Sequence, residues 1–185
     1  MEVFTAGIRQ TEETIKRYAI VQYNIFQIRK LAFTIALSLF LAICGVLLGA
    51  QNNASALILV FLGCIIYTNK YVPATVTANK VIRVFNGKFP VLSYRFTEND
   101  IFLGEAKITD YKNLICLVED ESYLYFFQTS QYGIMVPKAS VNGNNGAAGL
   151  RELVSKNTNL SWQRPNSLLN FNIGKLLKIC FPLKR

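Results

Sequence analysis

Thirty-nine consecutive residues, 31–69, contain no Asp, Glu, Lys or Arg. Within them, residues 31–50 (LAFTIALSLFLAICGVLLGA) form one apolar run. As a helix rising ~1.5 Å per residue, that run reaches about 30 Å, the thickness of a bilayer's hydrocarbon core. Gln51, Asn52 and Asn53 interrupt it, and ASALILVFLGCIIY then resumes from Ala54, extendable to Asn69. The pattern predicts a transmembrane helical hairpin with spans at 31–50 and 51–69. The competing reading is a buried soluble hairpin, but the rest of the chain is short for covering two charge-free segments. Gly45 and Gly49 stand in G-x-x-x-G register. Two readings stay open: a close-packing face for the neighbouring helix or a second copy, or two glycines with no special role. A cleaved leader is not expected, because the apolar run starts late and a second follows at once.

Ahead of the first span, Thr11 is a plausible N-cap, with Glu12 and Glu13 in the first turn. Ile15, Tyr18, Ala19, Gln22, Tyr23 and Phe26 follow at helical spacing. A helix from about Glu12 is expected to run into the membrane or bend just before it. Tyr18, Tyr23 and Phe26 would then sit near the headgroups, with Tyr67 and Tyr71 at the same interface on the return. Past the second span, Pro73 marks a break, residues 74–85 form a short basic connector with helical character, and Asn86-Gly87 signals a turn.

From Phe89 the period changes to that of strands. VLSYRF (91–96), a run from Ile101 to Ile108, LICLV (114–118), YLYFF (123–127) and GIMV (133–136), closed by Pro137, are short apolar segments parted by polar turns. Their spacing predicts an antiparallel meander. Residues 141–149 read as a loop. The helix that follows, to Lys156, carries Leu150, Leu153 and Val154 on one face and would cap the sheet. The tail holds Trp162, Pro165 and a stripe of Leu169, Ile173, Leu176, Leu177 and Cys180, with Lys175 and Lys178 off the stripe. Such a basic amphipathic segment lies in a membrane interface, with Trp162, Lys175 and Lys178 as contacts, or else is disordered or packed on the domain. The organisation is therefore an N-terminal cytoplasmic strand and helix (1–30), the hairpin (31–69), a basic connector (70–90), a β domain (91–156) and a basic tail (157–185).

Charge sharpens this picture. Hydrophobic residues make up 51% of the 185 and charged residues 17%, against ~25% in soluble domains. Mean hydropathy is +0.26. The net charge of +9 divides as +2 over 1–30, +4 over 70–90, −2 over 91–156 and +5 over 157–185. Positive charge thus flanks the apolar stretch and fills the tail, a distribution suited to anionic lipid. A nucleic-acid binder would carry it on the folded domain. Arg29 and Lys30 precede the spans, Lys70, Lys80 and Arg83 follow them, and the hairpin turn has no base. Both termini are accordingly expected in the cytoplasm of a multi-pass cell-membrane protein.

Candidate chemistry is sparse. There is no histidine, no Ser-His-Asp set and no phosphate-binding G-x-x-x-x-G-K loop. Cys44, Cys64, Cys116 and Cys180 lack metal-ligand or redox spacing and read as reduced thiols. Glu119-Asp120-Glu121 reads as a solvated turn, without the dry cleft that catalytic carboxylates need. No catalytic residue, cofactor or metal is expected. Lys138, at the end of an apolar strand, together with Lys112 and Arg95 is the set to meet phosphate or an acidic partner; the plainer reading is a solvated rim lysine.

The order of parts resembles the YcxB-like family of bacterial membrane proteins over roughly residues 1–156. It rests on the acid-rich helix start at 11–13, the two spans, and the segments YRFTENDI (94–101), ITDYKNL (108–114), EDESYLYF (119–126) and IMVPK (134–138). The connector is less basic than the family pattern, and the 29-residue tail is extra. The resemblance implies an α+β membrane protein whose C-terminal part is a small antiparallel pleckstrin-homology-like β domain capped by one helix. It also implies that residues 3–5 add a strand. The expected function is a membrane-tethered cytoplasmic binding or regulatory module without catalytic activity. Its expected partners are the lipid bilayer and either a protein or an anionic lipid headgroup, with a second copy as a further candidate and no nucleic acid. The alternative is a self-protection (bacteriocin-immunity-like) or envelope-stress membrane protein.

Overall fold

The computed structural model describes residues 4–49 and 55–165. Among them the chain forms an α+β fold of five helices and mainly antiparallel sheets. Strand β1 (Phe4–Arg9) alternates, with Phe4, Ala6 and Ile8 inward and the residues between them outward. Helix α1 (Glu12–Phe26) begins at a reciprocal cap: the Thr14 amide donates to Thr11 Oγ1 (3.1 Å) and the Thr11 amide to Thr14 Oγ1 (2.8 Å). The helix breaks at Gln27, whose backbone leaves the helical region (φ −117°, ψ 30°). Helix α2 (Ile28–Gly49) follows, then α3 (Ser55–Thr68) and α4 (Val72–Phe85).

Length and composition make α2 the one described helix able to cross a membrane alone. Of the second span expected over 51–69, the described part is α3. Helix α3 has 14 residues, about 21 Å, short of the ~30 Å core. It meets the length only together with α4, across a 41° bend. The break expected at Pro73 lies just before it, over residues 69–71. Pro73 itself lies in the first turn of α4, where its missing N–H costs nothing. Helices α2 and α3 approach closely at glycines. A Cβ on Gly45 would lie 2.6 Å from Val60 Cγ2, and one on Gly63 2.7 Å from the Ser38 carbonyl oxygen. The first glycine of the G-x-x-x-G pair therefore serves the neighbouring helix of the same chain.

One sheet has the order β1-β2-β3-β4, with β2 (Val91–Phe96), β3 (Asp100–Leu103) and β4 (Ala106–Asp110). The other has the order β7-β6-β5-β8, with β5 (Cys116–Glu119), β6 (Tyr123–Phe127), β7 (Gly133–Pro137) and β8 (Trp162–Gln163). The expected single meander is thus two sheets. A 3-10 turn at Tyr111–Asn113 carries the chain between them, pinned where the buried Tyr111 hydroxyl donates to the Thr97 carbonyl (2.8 Å). The run 101–108 is likewise a hairpin, turning at Gly104 (φ 59°).

Strand β6 shows why YLYFF is aromatic on both faces. Phe127 faces α1, 5.7 Å from the Tyr18 ring and 5.2 Å from Phe26. Phe126 faces the other way, 5.5 Å from Phe96 and 5.7 Å from Trp162. Helix α5 (Gly146–Thr158) closes that second side with fully buried Leu150 and Val154.

Candidate functional site

The three basic residues singled out in the β domain do not converge. Lys138 Nζ lies 3.5 Å from Glu119 Oε2, and Arg151 lies 3.1 Å from the other carboxylate oxygen. This buried-side carboxylate ties the end of β7 and α5 to β5, so Lys138 already has an acidic partner within the chain. Arg95 lies outside the core with its guanidinium 4.6 Å over the Phe102 ring. Lys112 borders a shallow polar hollow with Asp100, Asp110, Lys107 and Asn157, where Lys107 pairs with both aspartates. Of the membrane-flanking bases, Lys70 covers the Tyr67 and Tyr71 rings (3.9 and 5.1 Å to the centroids), and Lys80 and Arg83 lie on α4.

Of the two readings for the tail, Trp162 follows the second and packs on the domain. Through β8 it pairs in parallel with Leu117, and its indole N–H donates to Ser155 Oγ (2.7 Å). It is docked on the domain because its ring finds an apolar face at Phe126 and a polar partner on α5. Lys175 and Lys178 lie outside the described residues, as do Val3, Cys180 and the turn at 51–53. The rings expected near the headgroups, those of Tyr18, Tyr23 and Phe26, find partners within the chain. Tyr18 and Phe26 pack on Phe127, and Tyr23 is buried against Tyr71 (6.4 Å).

The acidic turn holds an interaction that sequence reading missed. Asp120 Oδ2 accepts from the Tyr125 hydroxyl (2.8 Å) and pairs with the Arg17 guanidinium (3.1 Å). Its Oδ1 accepts from the Ser122 and Tyr123 amides, both at 2.8 Å. Burial alone would push this carboxyl up; the Tyr125 hydrogen bond, the two amides and Arg17 together hold it below the usual carboxylate range. Burial and the adjacent carboxylate push Tyr125 up. Arg17 also lies 4.7 Å over the Tyr123 ring. Nearby, Gln22 Nε2 donates to the Ser130 carbonyl (2.8 Å). Together these contacts fasten α1 across the second sheet. Helix α4 packs in turn on α1, through Ala74 and Ala78 against Ile15, Ala19 and Tyr23.

That fastening leaves a cleft of about 440 Å³ between the two helices and the sheets. Ile15, Tyr18, Ala19 and Gln22 of α1 form one wall, and Thr77, Ala78, Val81 and Phe85 of α4 a second. Leu92 and Tyr94 of β2, with Gly133 and Met135 of β7, form the floor; Gln10, Pro90 and Gln131 complete the lining. No charged side chain lines it. The Tyr18 hydroxyl is buried without a hydrogen-bond partner. Burial pushes Tyr18 up and Tyr94 up to about 12, so both phenols stay neutral. Tyr18 and Ala19 were visible in the sequence as one helix face, but nothing local announced that two strands would oppose them.

Among the described residues, no group of three or more His, Cys, Asp or Glu side chains could hold a metal ion. Comparisons with protein-family models, curated proteins and solved structures return no match to this chain.

Proposed function

We propose that this chain is a membrane-tethered cytoplasmic binding module without catalytic activity. Its hairpin resides in the bilayer and holds a YcxB-like, pleckstrin-homology-like β domain at the inner leaflet. The cleft at the junction of α1, α4 and the sheets is its binding site.

The observation that carries this reading is the inverted surface of the hairpin. Phe33, Phe40, Val46, Leu47, Leu57 and Phe61 are each at least 61% exposed, whereas Ser38, Gly45, Ala56 and Gly63 are buried between the helices. A soluble protein's core helix is mostly buried, and only 17% of the most apolar stretch of α2 is. Large side chains outward and small ones inward is the arrangement that lipid favours. The acid-free flanks at 70–90 then lie against anionic headgroups, each well-placed base adding about 1 kcal/mol.

Alkaline extraction of cell membranes, with reporters fused after Arg185, tests the tether. The chain is expected to stay in the pellet, with a cytoplasmic reporter active and a secreted-type reporter silent. Release into the supernatant, or activity outside the cell, would overturn the reading.

A further inference from the structure

We propose that the cleft binds an uncharged lipid, a single acyl chain with a neutral polar head, drawn from the leaflet that holds the hairpin. This assignment rests on the membrane reading for its source of ligand and on the cleft itself for its chemistry.

The chemistry follows from what lines the cleft. At about 440 Å³ it falls within the ~300–1,000 Å³ of small-molecule sites. The chain carries +9, and α1 and α4 between them carry Lys16, Arg17, Lys80 and Arg83, yet none of these side chains lines the cleft. Ile15, Val81, Leu92 and Met135 offer apolar contact, and Gln10 and Gln131 are neutral polar groups. A carboxylate or phosphate placed here would lose its water without meeting a cation. A neutral chain strands no charge there, so the lining favours it over an anion.

The source follows from the chain path. Helix α1 leads through Gln27 into α2, and α4 continues from α3 across three residues. The two walls of the cleft are thus extensions of the two helices of the hairpin. The Tyr18 and Tyr94 phenols, held neutral by burial, add no charge to the lining.

The test uses the full chain in nanodiscs and two diazirine probes of equal chain length, a monoacylglycerol and the corresponding fatty acid at pH 8. Cross-links are mapped by mass spectrometry. The neutral probe is expected to label α1, α4 and β2 about tenfold more than the carboxylate. Val81→Trp fills the cleft from a position 42% exposed, which the fold tolerates, and is expected to remove that labelling. Val84→Trp, 83% exposed and outside the lining, is expected to leave it. Equal labelling by the carboxylate, or labelling indifferent to Val81→Trp, overturns the assignment. Labelling confined to α2 and α3 overturns the cleft and leaves the bilayer reading standing. Cleft labelling of a chain that stays in buffer overturns the leaflet as source and leaves the preference for neutral chains. Blocking of the probe by an added apolar peptide, but not by unlabelled monoacylglycerol, transfers the site to a protein partner and overturns the proposal.

Discussion

The helical hairpin and the β domain solve opposite packing problems with similar residues. In the β domain Phe96, Leu117, Leu124, Phe126 and Phe127 are wholly buried. In the hairpin Phe33, Phe40 and Phe61 face outward, and glycine, alanine and serine fill the seam. Water drives large apolar groups inward and makes their burial the main stabilising term. Hydrocarbon offers no such drive, so helices there associate by close backbone approach. The difference teaches that apolar content alone says little about a segment; the size of the side chains it buries separates the two regions.

The sharpest way to break this comparison is to truncate one phenylalanine in each region. Phe126→Ala, at 0% exposure, is expected to cost about 3–5 kcal/mol. Phe40→Ala, at 61% exposure, is expected to change stability by no more than about 0.5 kcal/mol in lipid. Thermal unfolding in nanodiscs reads both, and equal losses would erase the distinction.

Asp120→Ala comes next, at about 2–3 kcal/mol, because it strands the Tyr125 hydroxyl and two turn amides while releasing Arg17. Most of that cost arises at the buried hydroxyl, since Arg17 is 39% exposed and solvent screens its charge. The pH dependence has a definite sign. A carboxyl held below its ordinary value contributes stability above the unfolded pKa of ~3.9, and that contribution fades as pH falls through the lower folded value. Asp120→Ala should therefore flatten the acid limb of a denaturation profile.

Gly45→Val follows. Its new Cβ would meet Val60 and the Ala56 carbonyl, forcing α2 and α3 apart for about 1–3 kcal/mol. Distances between spin labels on the two helices should lengthen. The smallest effect is Tyr18→Phe, a gain of up to about 1 kcal/mol, because it removes a buried hydroxyl that has no partner. A clear loss would mean that the hydroxyl is bonded.

Features written locally were legible in the sequence. The Thr11 cap, the helical runs and their register, the strands at 91–96 and 123–127 and the apolar face of α5 all come from neighbours a few residues apart. Features set by distant partners were not. Arg17 and Asp120 are 103 positions apart, so a turn of three acids gave no sign of a buried carboxylate. Tyr18 and Phe26 are aromatics on one helix face, and they pack on Phe127, a partner that only the tertiary fold supplies. Gly104-Glu105 is a weak turn signal inside an apolar run, which hid the hairpin between β3 and β4. The cleft was invisible for the same reason, since its walls come from four separate stretches of chain.

The membrane tether depends on hydrocarbon surrounding α2 and α3. Spin labels placed singly at Phe40, Phe61 and Tyr132 in nanodiscs, compared for collision with oxygen and with a water-soluble nickel chelate, test this directly. At 40 and 61 oxygen collisions should be frequent and nickel collisions rare, with the reverse at Tyr132, an exposed β-domain position. Nickel access at 40 and 61 equal to that at 132 would place the hairpin in water and contradict the assignment.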